Sequence, residues 1–274
     1  MNEDGMLDEL SLPTLAEVEV RRARDADWQA ALDHVAEETP VALEYNGISH
    51  AVMLATPADL EDFALGFSLS EGILGSAAEL YDCEVIPDPR GVRVALRIPE
   101  ARFMRLKEMR RSLAGRTGCG LCGTESLQHA VRLPSPVTAQ KRYAAATLYA
   151  GLASMQTGQA LQHKTGATHA AAWVSGSGEL ALLREDVGRH NALDKLVGAL
   201  AQAGIDAATG AILVTSRASV EMVQKAAACG AGVLAAVSAP TALAVRTAEQ
   251  CGLTLLGFVR EGRHVAYTHT HRIL

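Results

Sequence analysis

The sequence predicts an α/β fold in which a larger domain is preceded by a smaller α+β domain. From about residue 138, short apolar strands alternate with helices of about ten to fifteen residues, which is typical of a sheet covered by helices on both faces. Before residue 110, two pairs of strands are separated by turn sequences, Asn46-Gly47 and the stretch 88–91. Pro134 and Pro136 interrupt regular structure between the two parts.

These patterns divide the chain into four segments. Residues 1–17 have no periodic apolar pattern and are predicted to be a mobile tail, and residues 18–112 form the α+β domain. Residues 113–137 form a cysteine-bearing loop and linker. Residues 138–274 form the larger, three-layer α/β domain.

The larger domain has the predicted element order α-β-β-α-β-α-β-α-β-β, and its first helix spans residues 138–162. Its strands are short and apolar, so we expect a mostly parallel sheet that is buried on both faces. Ligands bind such sheets at the carboxyl ends of the strands. The residues at the predicted ends are Thr215, Ser216, Arg217, Ser238, Ala239, Pro240 and the stretch that follows Phe258.

The net charge and the lengths of the apolar runs argue against some classes of binding partner. The net charge of −6 argues against a protein built to coat nucleic acid or an anionic membrane. No apolar run approaches the roughly 20 residues that span a bilayer. The first ten residues are acidic and lack the apolar core of a signal peptide, so we expect a cytoplasmic protein.

The five cysteines are therefore expected to be reduced. Cys83, Cys229 and Cys251 lie in apolar or alanine-rich surroundings and are predicted to be buried core residues. Cys119 and Cys122 instead lie in the glycine-rich run "RTGCGLCGTESL". Four functions compete for this pair: a zinc half-site, a redox disulfide, a remnant of a zinc deaminase, and a carrier of activated sulfur.

Each alternative makes a separate demand on the sequence. A structural zinc site needs a second ligand pair, and no Cys or His pair at a common spacing is present. The element order of the larger domain matches a cytidine-deaminase-like arrangement, but the His-x-Glu and Pro-Cys-x-x-Cys motifs of zinc deaminases are missing. A thioredoxin-like pair lies at a helix start, whereas the glycines here favour a flexible loop. A flexible loop suits a persulfide carrier.

The stretch "REDVGRHNALDK" has the densest concentration of groups that could act on a ligand. It lies at a predicted strand-to-helix junction, where Asp186 could simply cap the helix. A cap explains one of these residues, so we also keep a role in ligand binding. The residues concerned are Arg184, Glu185, Asp186, Arg189, His190, Asn191 and Asp194.

Four further histidines lie in or near predicted strands. His169 opens an apolar strand and is a secondary candidate for the site. His264, His269 and His271 have no nearby carboxylate or cysteine partner, so we interpret them as solvated histidines of an edge strand. We predict no metal ligands.

Five motifs in one order carry a resemblance to a known family. The motifs are "GCGLCG", "REDVGRHNALDKLVG", "TSRAS", "SAPT" and "GFVREGRHVAYTH". From roughly residue 40 to the C-terminus the chain resembles the FdhD family, the formate dehydrogenase accessory sulfurtransferases.

The resemblance implies an activity and a set of partners. Such a protein takes persulfide sulfur from an IscS-type cysteine desulfurase and passes it to the molybdenum (or tungsten) bis-molybdopterin guanine dinucleotide cofactor of formate dehydrogenase. It also implies a homodimer and a C-terminal domain of the cytidine deaminase fold.

The resemblance further assigns residues. Cys119 carries the persulfide and Cys122 assists it. The cofactor-binding stretch corresponds to Phe258, Val259, Arg260, Glu261, Gly262 and Arg263.

Physical reasoning adds candidates to that site. Two pyrophosphates call for arginines and exposed backbone amides, and no P-loop motif occurs. Ser216, Arg217, Arg189 and His190 are therefore further candidate cofactor-binding residues. The alternative function is a chaperone that binds and delivers the molybdenum cofactor without transferring sulfur.

Overall fold

The structure, a computed structural model, describes residues 12–114 and 133–274. In the first of these parts, six strands form two sheets. The strands are β1 (Leu15–Arg24), β2 (Asp27–Ala36), β3 (Thr39–Tyr45), β4 (Ile48–Ala55), β5 (Asp82–Asp88) and β6 (Gly91–Arg97). The strand β1 begins inside the segment predicted to be a tail, so that segment is at least three residues shorter than expected.

The strands β1 and β2 pair only with each other, and the other four form a sheet in the order β4-β3-β6-β5. Both predicted hairpin turns are confirmed: β3 and β4 turn at Asn46-Gly47, where both residues have positive φ angles, and β5 and β6 turn after Asp88. Two helices complete this part, α1 (Leu60–Ser70) and α2 (Glu100–Ala114).

One face of the four-stranded sheet packs against these helices. Alternate residues of the central strands, including Val41, Leu43, Val92 and Val94, are buried against Phe63 of α1. This alternation is the period-two pattern of a sheet with one covered face.

The second part contains a six-stranded sheet in the order β12-β11-β10-β9-β7-β8. Its strands are β7 (His169–Ser175), β8 (Leu180–Asp186), β9 (Gly210–Val214), β10 (Val233–Ala236), β11 (Thr254–Arg260) and β12 (Arg263–Ala266). Its helices are α3 (Ala145–Gly158), α4 (Ala160–Thr165), α5 (Arg189–Gln202), α6 (Val220–Ala228) and α7 (Ala242–Cys251).

Helices cover both faces of this sheet, as predicted. Leu148, Leu152 and Met155 of α3 are buried against one face. The opposite face packs against α5, α6 and α7, with Leu193 and Leu196 fully buried. This gives three layers, and the predicted element order is confirmed except that two helices, α3 and α4, take the place of the first predicted helix.

Three expectations about this part are wrong. The first helix begins at Ala145 rather than at 138, and it is divided from α4 at Gln159. The sheet is mixed, because β9, β10 and β11 are parallel while β7, β8 and β12 pair antiparallel. An apolar strand does not reveal its direction, which depends on how the hairpin of β7 and β8 docks against β9.

The two parts meet where α1 crosses α5. A Cβ atom added to Gly66 would lie 1.7 Å from the Asp194 carbonyl oxygen, and one added to Gly198 would lie 1.9 Å from that of Asp62. The glycines therefore let the two helix backbones touch. The partly buried Leu69 packs against the cores on both sides of this crossing. The domain boundaries remain a prediction.

Candidate functional site

The strands β8, β9, β10 and β11 run in the same direction, so their carboxyl ends lie at one edge of the sheet. Residues at or after these ends lie side by side, and we call this boundary of the sheet the carboxyl edge (residues 186–190, 215–219, 238–241 and 258–263). Backbone hydrogen bonds join the segments. The Ala218 amide donates to the Ala239 carbonyl at 3.2 Å, and the Phe258 amide donates to the Ser238 carbonyl at 3.2 Å. The strand that begins at His169 runs antiparallel to β9 and so starts at the same edge.

The strand-to-helix junction from 184 to 194 is largely occupied by interactions that hold the fold. Arg184 forms an ion pair with Asp62 of α1, with Nη2 2.6 Å from Oδ2. The Glu185 carboxylate accepts hydrogen bonds from the first amides of α4, those of Leu161 and Gln162, each at 2.9 Å. Arg184 and Glu185 therefore have structural roles that account for their position at the junction.

Asp186 does not cap α5, whose N-cap residue is Gly188. It is fully buried, and its Oδ2 lies 2.7 Å from Nζ of Lys195. Its Oδ1 accepts hydrogen bonds from the Gly188 amide and from the Asn191 side chain. The interpretation of Asp186 as a simple cap was wrong.

Asp194, also kept as a candidate for ligand binding, is buried. Its Oδ1 lies 2.9 Å from Nζ of Lys225 and accepts a hydrogen bond from Ser70 Oγ at 2.7 Å. Burial raises the pKa of Asp194, and the nearby Lys225 ammonium opposes that shift.

Arg189 and His190 are the two polar residues of the junction whose side chains have no hydrogen bond or close ion pair in the described part of the chain. Nε of Arg189 and Nε2 of His190 are shielded from solvent, and neither has a hydrogen-bond partner among residues 12–114 and 133–274. Nε2 of His190 lies 3.8 Å from Oε2 of Glu221, beyond hydrogen-bond distance. Burial and the adjacent Arg189 guanidinium lower the pKa of His190. Both side chains could therefore donate to a ligand at the carboxyl edge.

Ser216 and Arg217 follow β9 in the middle of the carboxyl edge. Ser216 is buried, and its Oγ donates to the Arg217 carbonyl at 2.9 Å. The Arg217 side chain is exposed and makes no ion pair within the described part of the chain. Of these two, Arg217 is the residue that can reach an anion.

The predicted cofactor-binding stretch forms the irregular hairpin between β11 and β12. The pairing shifts between Gly257 and Arg260, and Phe258 has a φ of 53° and is 46% exposed. Gly262 has a φ of 71°, and no atom lies within 4 Å of an added Cβ, so it serves the turn rather than a close approach.

The side chains of this hairpin differ in their exposure. Val259 is buried in the sheet core, whereas Glu261 and Arg263 are exposed. Arg260 Nη1 donates to the Val237 and Val259 carbonyls, which hold its guanidinium in place. Phe258, Arg260 and Arg263 are therefore the residues of this hairpin whose side chains a ligand could contact.

Of the remaining histidines, His264 lies on the edge strand β12, whereas His269 and His271 differ from the edge-strand interpretation. Nε2 of His269 also lies 3.7 Å from Oε2 of Glu249, so the expected lack of a nearby carboxylate was wrong for this residue. The strand β12 ends at Ala266, and His269 has a left-handed backbone before a short 3-10 turn that contains His271. His264 is not solvated on its own, because its Nδ1 lies 2.8 Å from the Tyr149 hydroxyl of α3. Tyr149 and His264 are far apart in the sequence, so no local sequence pattern predicts their contact.

His169 and Glu221 also lie near the carboxyl edge. Burial and the Arg189 guanidinium lower the pKa of His169. Glu221, which sequence reasoning did not single out, begins α6 opposite His190. An acidic residue in the first turn of a helix is common, so its sequence position carries no functional signal.

Cys119 and Cys122 lie outside the described residues. Of the other three cysteines, Cys251 is buried, and Cys83 and Cys229 are half-buried against the cores, in line with the expectation of core thiols. Burial raises the pKa of Cys83 to about 12 and that of Cys229 to about 11.

Residues 36–274 match the FdhD/NarQ family. The chain belongs to that family. Among FdhD/NarQ relatives, the sulfur carrier protein FdhD of Cupriavidus necator (strain H16) is 62% identical over 261 residues, which cover 95% of this chain and 91% of the relative. That of Bordetella petrii is 56% identical and covers 94% of each chain. That of Variovorax paradoxus is 58% identical over 88% of this chain and 87% of the relative.

A solved structure shares the fold of this FdhD/NarQ member. It is the crystal structure of a putative formate dehydrogenase accessory protein from Desulfotalea psychrophila, with a TM-score of 0.77 and 24% sequence identity. The match covers 96% of this chain and all of the other. The mixed α/β architecture with several sheets is therefore shared with that solved structure.

The described residues contain neither a membrane-spanning helix nor a metal-binding group of side chains. No helix within 12–114 or 133–274 is long and apolar enough to cross a membrane. Over the same ranges, no three His, Cys, Asp or Glu side chains are grouped so as to hold a metal ion.

Proposed function

We propose that the chain is a sulfur carrier that serves formate dehydrogenase. It accepts persulfide sulfur from an IscS-type cysteine desulfurase and transfers it to the molybdenum bis-molybdopterin guanine dinucleotide cofactor. Membership of the FdhD/NarQ family over residues 36–274 carries this proposal, supported by relatives named as sulfur carrier proteins.

Loading of the carrier is a thiol exchange at Cys119. Its thiolate attacks the outer sulfur of the donor persulfide, the donor S–S bond breaks, and the donor cysteine leaves as a thiolate. The three other thiols described are protonated at neutral pH because burial raises their pKa. This leaves Cys119 and Cys122 as the reactive pair.

Release of the sulfur as sulfide needs two electrons, which a second thiol supplies. The Cys122 thiolate attacks Sγ of Cys119, a Cys119–Cys122 disulfide forms, and hydrosulfide leaves toward the cofactor. A cellular dithiol then reduces the disulfide by a further exchange. Cys122 is thus the resolving thiol.

The carboxyl edge suits a long, multiply anionic substrate. Four strand spacings separate β8 from β11, a distance of roughly 20 Å at about 4.8 Å each. Arg189 and His190 lie at one end, Ser216 and Arg217 near the middle, and the hairpin from Phe258 to Arg263 at the other. A dinucleotide cofactor with two pyrophosphates offers anions over such a span.

Three further features belong to the proposal. The three-layer second part, a six-stranded sheet covered by helices on both faces, supports a cytidine-deaminase-like domain. The protein acts as a homodimer, and it works in the cytoplasm.

Mass spectrometry after incubation with the desulfurase and free cysteine tests the proposal. We expect the wild-type protein to gain the mass of one sulfur atom at Cys119, and Cys119→Ala to gain none. Cys251→Ala, which removes a buried thiol, is the matched control and should load normally. A desulfurase that is active yet leaves wild-type Cys119 unmodified would support the chaperone alternative instead.

Formate dehydrogenase activity in cells distinguishes sulfur transfer from delivery of the molybdenum cofactor alone. Cys119→Ala should fold normally and abolish formate dehydrogenase activity. Cys122→Ala should still load sulfur but fail to release it. Full formate dehydrogenase activity with either variant would contradict the assigned role of that cysteine.

A further inference from the structure

The irregular β11–β12 hairpin borders a cavity of about 280 Å³. Its lining combines an exposed aromatic ring, two guanidinium groups and an imidazole. The lining residues are Phe258, Arg260, Arg263, His264 and Val265. Two of these residues, His264 and Val265, lie outside the stretch that the family resemblance assigns, and His264 is the polar one.

The imidazole of His264 is held in place from outside the hairpin. It belongs to β12, and its Nδ1 lies 2.8 Å from the Tyr149 hydroxyl of α3. The two rings also pack against each other, with centroids 5.9 Å apart and planes inclined by 49°. When the hydroxyl donates to Nδ1, the ring proton lies on Nε2, which makes no other hydrogen bond within the described residues.

The charges around the cavity determine what it can bind. Arg260 is anchored by the Val237 and Val259 carbonyls, and the Arg263 side chain is exposed at the turn. Two guanidinium groups and a fixed N–H donor favour a phosphate oxygen over a cation or a neutral group. The exposed ring of Phe258 offers a surface on which a planar base can stack.

The geometry points to His264 as a phosphate-binding residue, positioned by Tyr149. Its Nε2–H donates to a phosphate oxygen of the guanine nucleotide part of the cofactor. This inference rests on the proposed function, since it names a further contact in the same site. The two residues come from different layers of the fold: His264 of β12 binds the phosphate, and Tyr149 of α3 positions the His264 ring.

Titrations of the full-length protein with GDP and with guanosine test this role, because the two probes differ only in the diphosphate. We expect His264→Ala to bind GDP about tenfold more weakly and guanosine as well as the wild-type protein does. His264→Gln keeps an N–H donor and should recover part of the loss. Tyr149→Phe should weaken GDP binding about threefold, because it frees the ring without removing it.

A matched control and three contrary outcomes complete the design. His163→Ala removes an exposed histidine of α4 and should leave both affinities unchanged. If His264→Ala binds GDP as tightly as the wild-type protein, the inference is overturned while the cofactor site stands. An equal loss for GDP and guanosine would indicate packing rather than phosphate binding. A wild-type protein that binds neither probe would overturn both this inference and the proposed cofactor site.

Discussion

Lys195 and Asp186 form an ion pair that solvent does not reach: Nζ lies 2.7 Å from Oδ2, and both side chains are 0% exposed. The same carboxylate accepts a hydrogen bond from the Thr56 amide at 3.0 Å, and the ammonium donates to the Thr56 carbonyl at 2.9 Å. Thr56 follows β4, so the pair connects the first part of the chain to the start of α5. That helix start bears Arg189 and His190.

Removal of the ammonium should therefore destabilise the whole protein. In Lys195→Met, Asp186 would be left as a buried carboxylate without a counterion, and we expect the free energy of unfolding to fall by about 3–5 kcal/mol. Urea denaturation measures the change. Lys164→Met, at an exposed position of α4, is the control and should change stability by less than about 0.5 kcal/mol. Similar stabilities for the two variants would contradict the role of the pair.

The backbone contact between α1 and α5 should not tolerate a methyl group. Gly198→Ala would place a Cβ atom 1.9 Å from the Asp62 carbonyl, so the helices must separate. We expect a loss of about 2–3 kcal/mol in unfolding free energy and weaker GDP binding through displacement of α5.

The matched control is Gly158→Ala at the end of α3. There the nearest atom to the added Cβ is a terminal methyl of Leu183, at 2.8 Å, which can rotate away. Its effect on unfolding free energy should be under about 1 kcal/mol. Equal effects at Gly158 and Gly198 would show that the helix crossing is not tightly packed.

The three described thiols should be chemically inert. Burial raises the pKa of Cys83, Cys229 and Cys251, so little thiolate is present at pH 8. Iodoacetamide followed by peptide mapping should modify Cys119 and Cys122 in the folded protein and all five cysteines after denaturation. Rapid labelling of Cys83 or Cys229 in the folded protein would contradict the assignment of the reactive pair.

Stability should decrease as the pH falls below neutrality, partly because of two histidines. Burial lowers the pKa of His169 and of His190 in the folded protein. Below about pH 6.5 the unfolded chain therefore binds more protons than the folded one, and the free energy of unfolding falls with pH. Their contribution is complete above that pH and is lost as the pH falls through the lowered pKa values.

Denaturation at pH 7.5 and at pH 5.5 measures this effect. The double variant His169→Gln, His190→Gln should lose less stability between the two pH values than the wild-type protein does. The exposed pair His163→Gln, His271→Gln is the control and should retain the wild-type pH dependence. A double variant with an unchanged pH dependence would show that these two groups are not responsible.

Local sequence patterns were sufficient for most secondary structure. The alternation of short apolar strands with helices predicted most elements of the second part, and Asn46-Gly47 predicted its turn, because both depend on neighbours in the chain. Strand direction could not be predicted in the same way. The mixed sheet arises from the docking of β7 against β9, which is a contact between distant segments.

The sequence by itself determined the family, the order of the elements and the cysteine pair, since these depend on residue identity and on short-range spacing. Only the tertiary structure decided which polar residues are available to a ligand. Asp186 and Asp194 form ion pairs with buried lysines. Arg189 and His190, at the carboxyl edge, each keep a nitrogen atom that has no hydrogen-bond partner among the described residues. The physical reason is that most polar groups inside a protein are paired, and contacts in space rather than neighbours in sequence decide which groups find a partner.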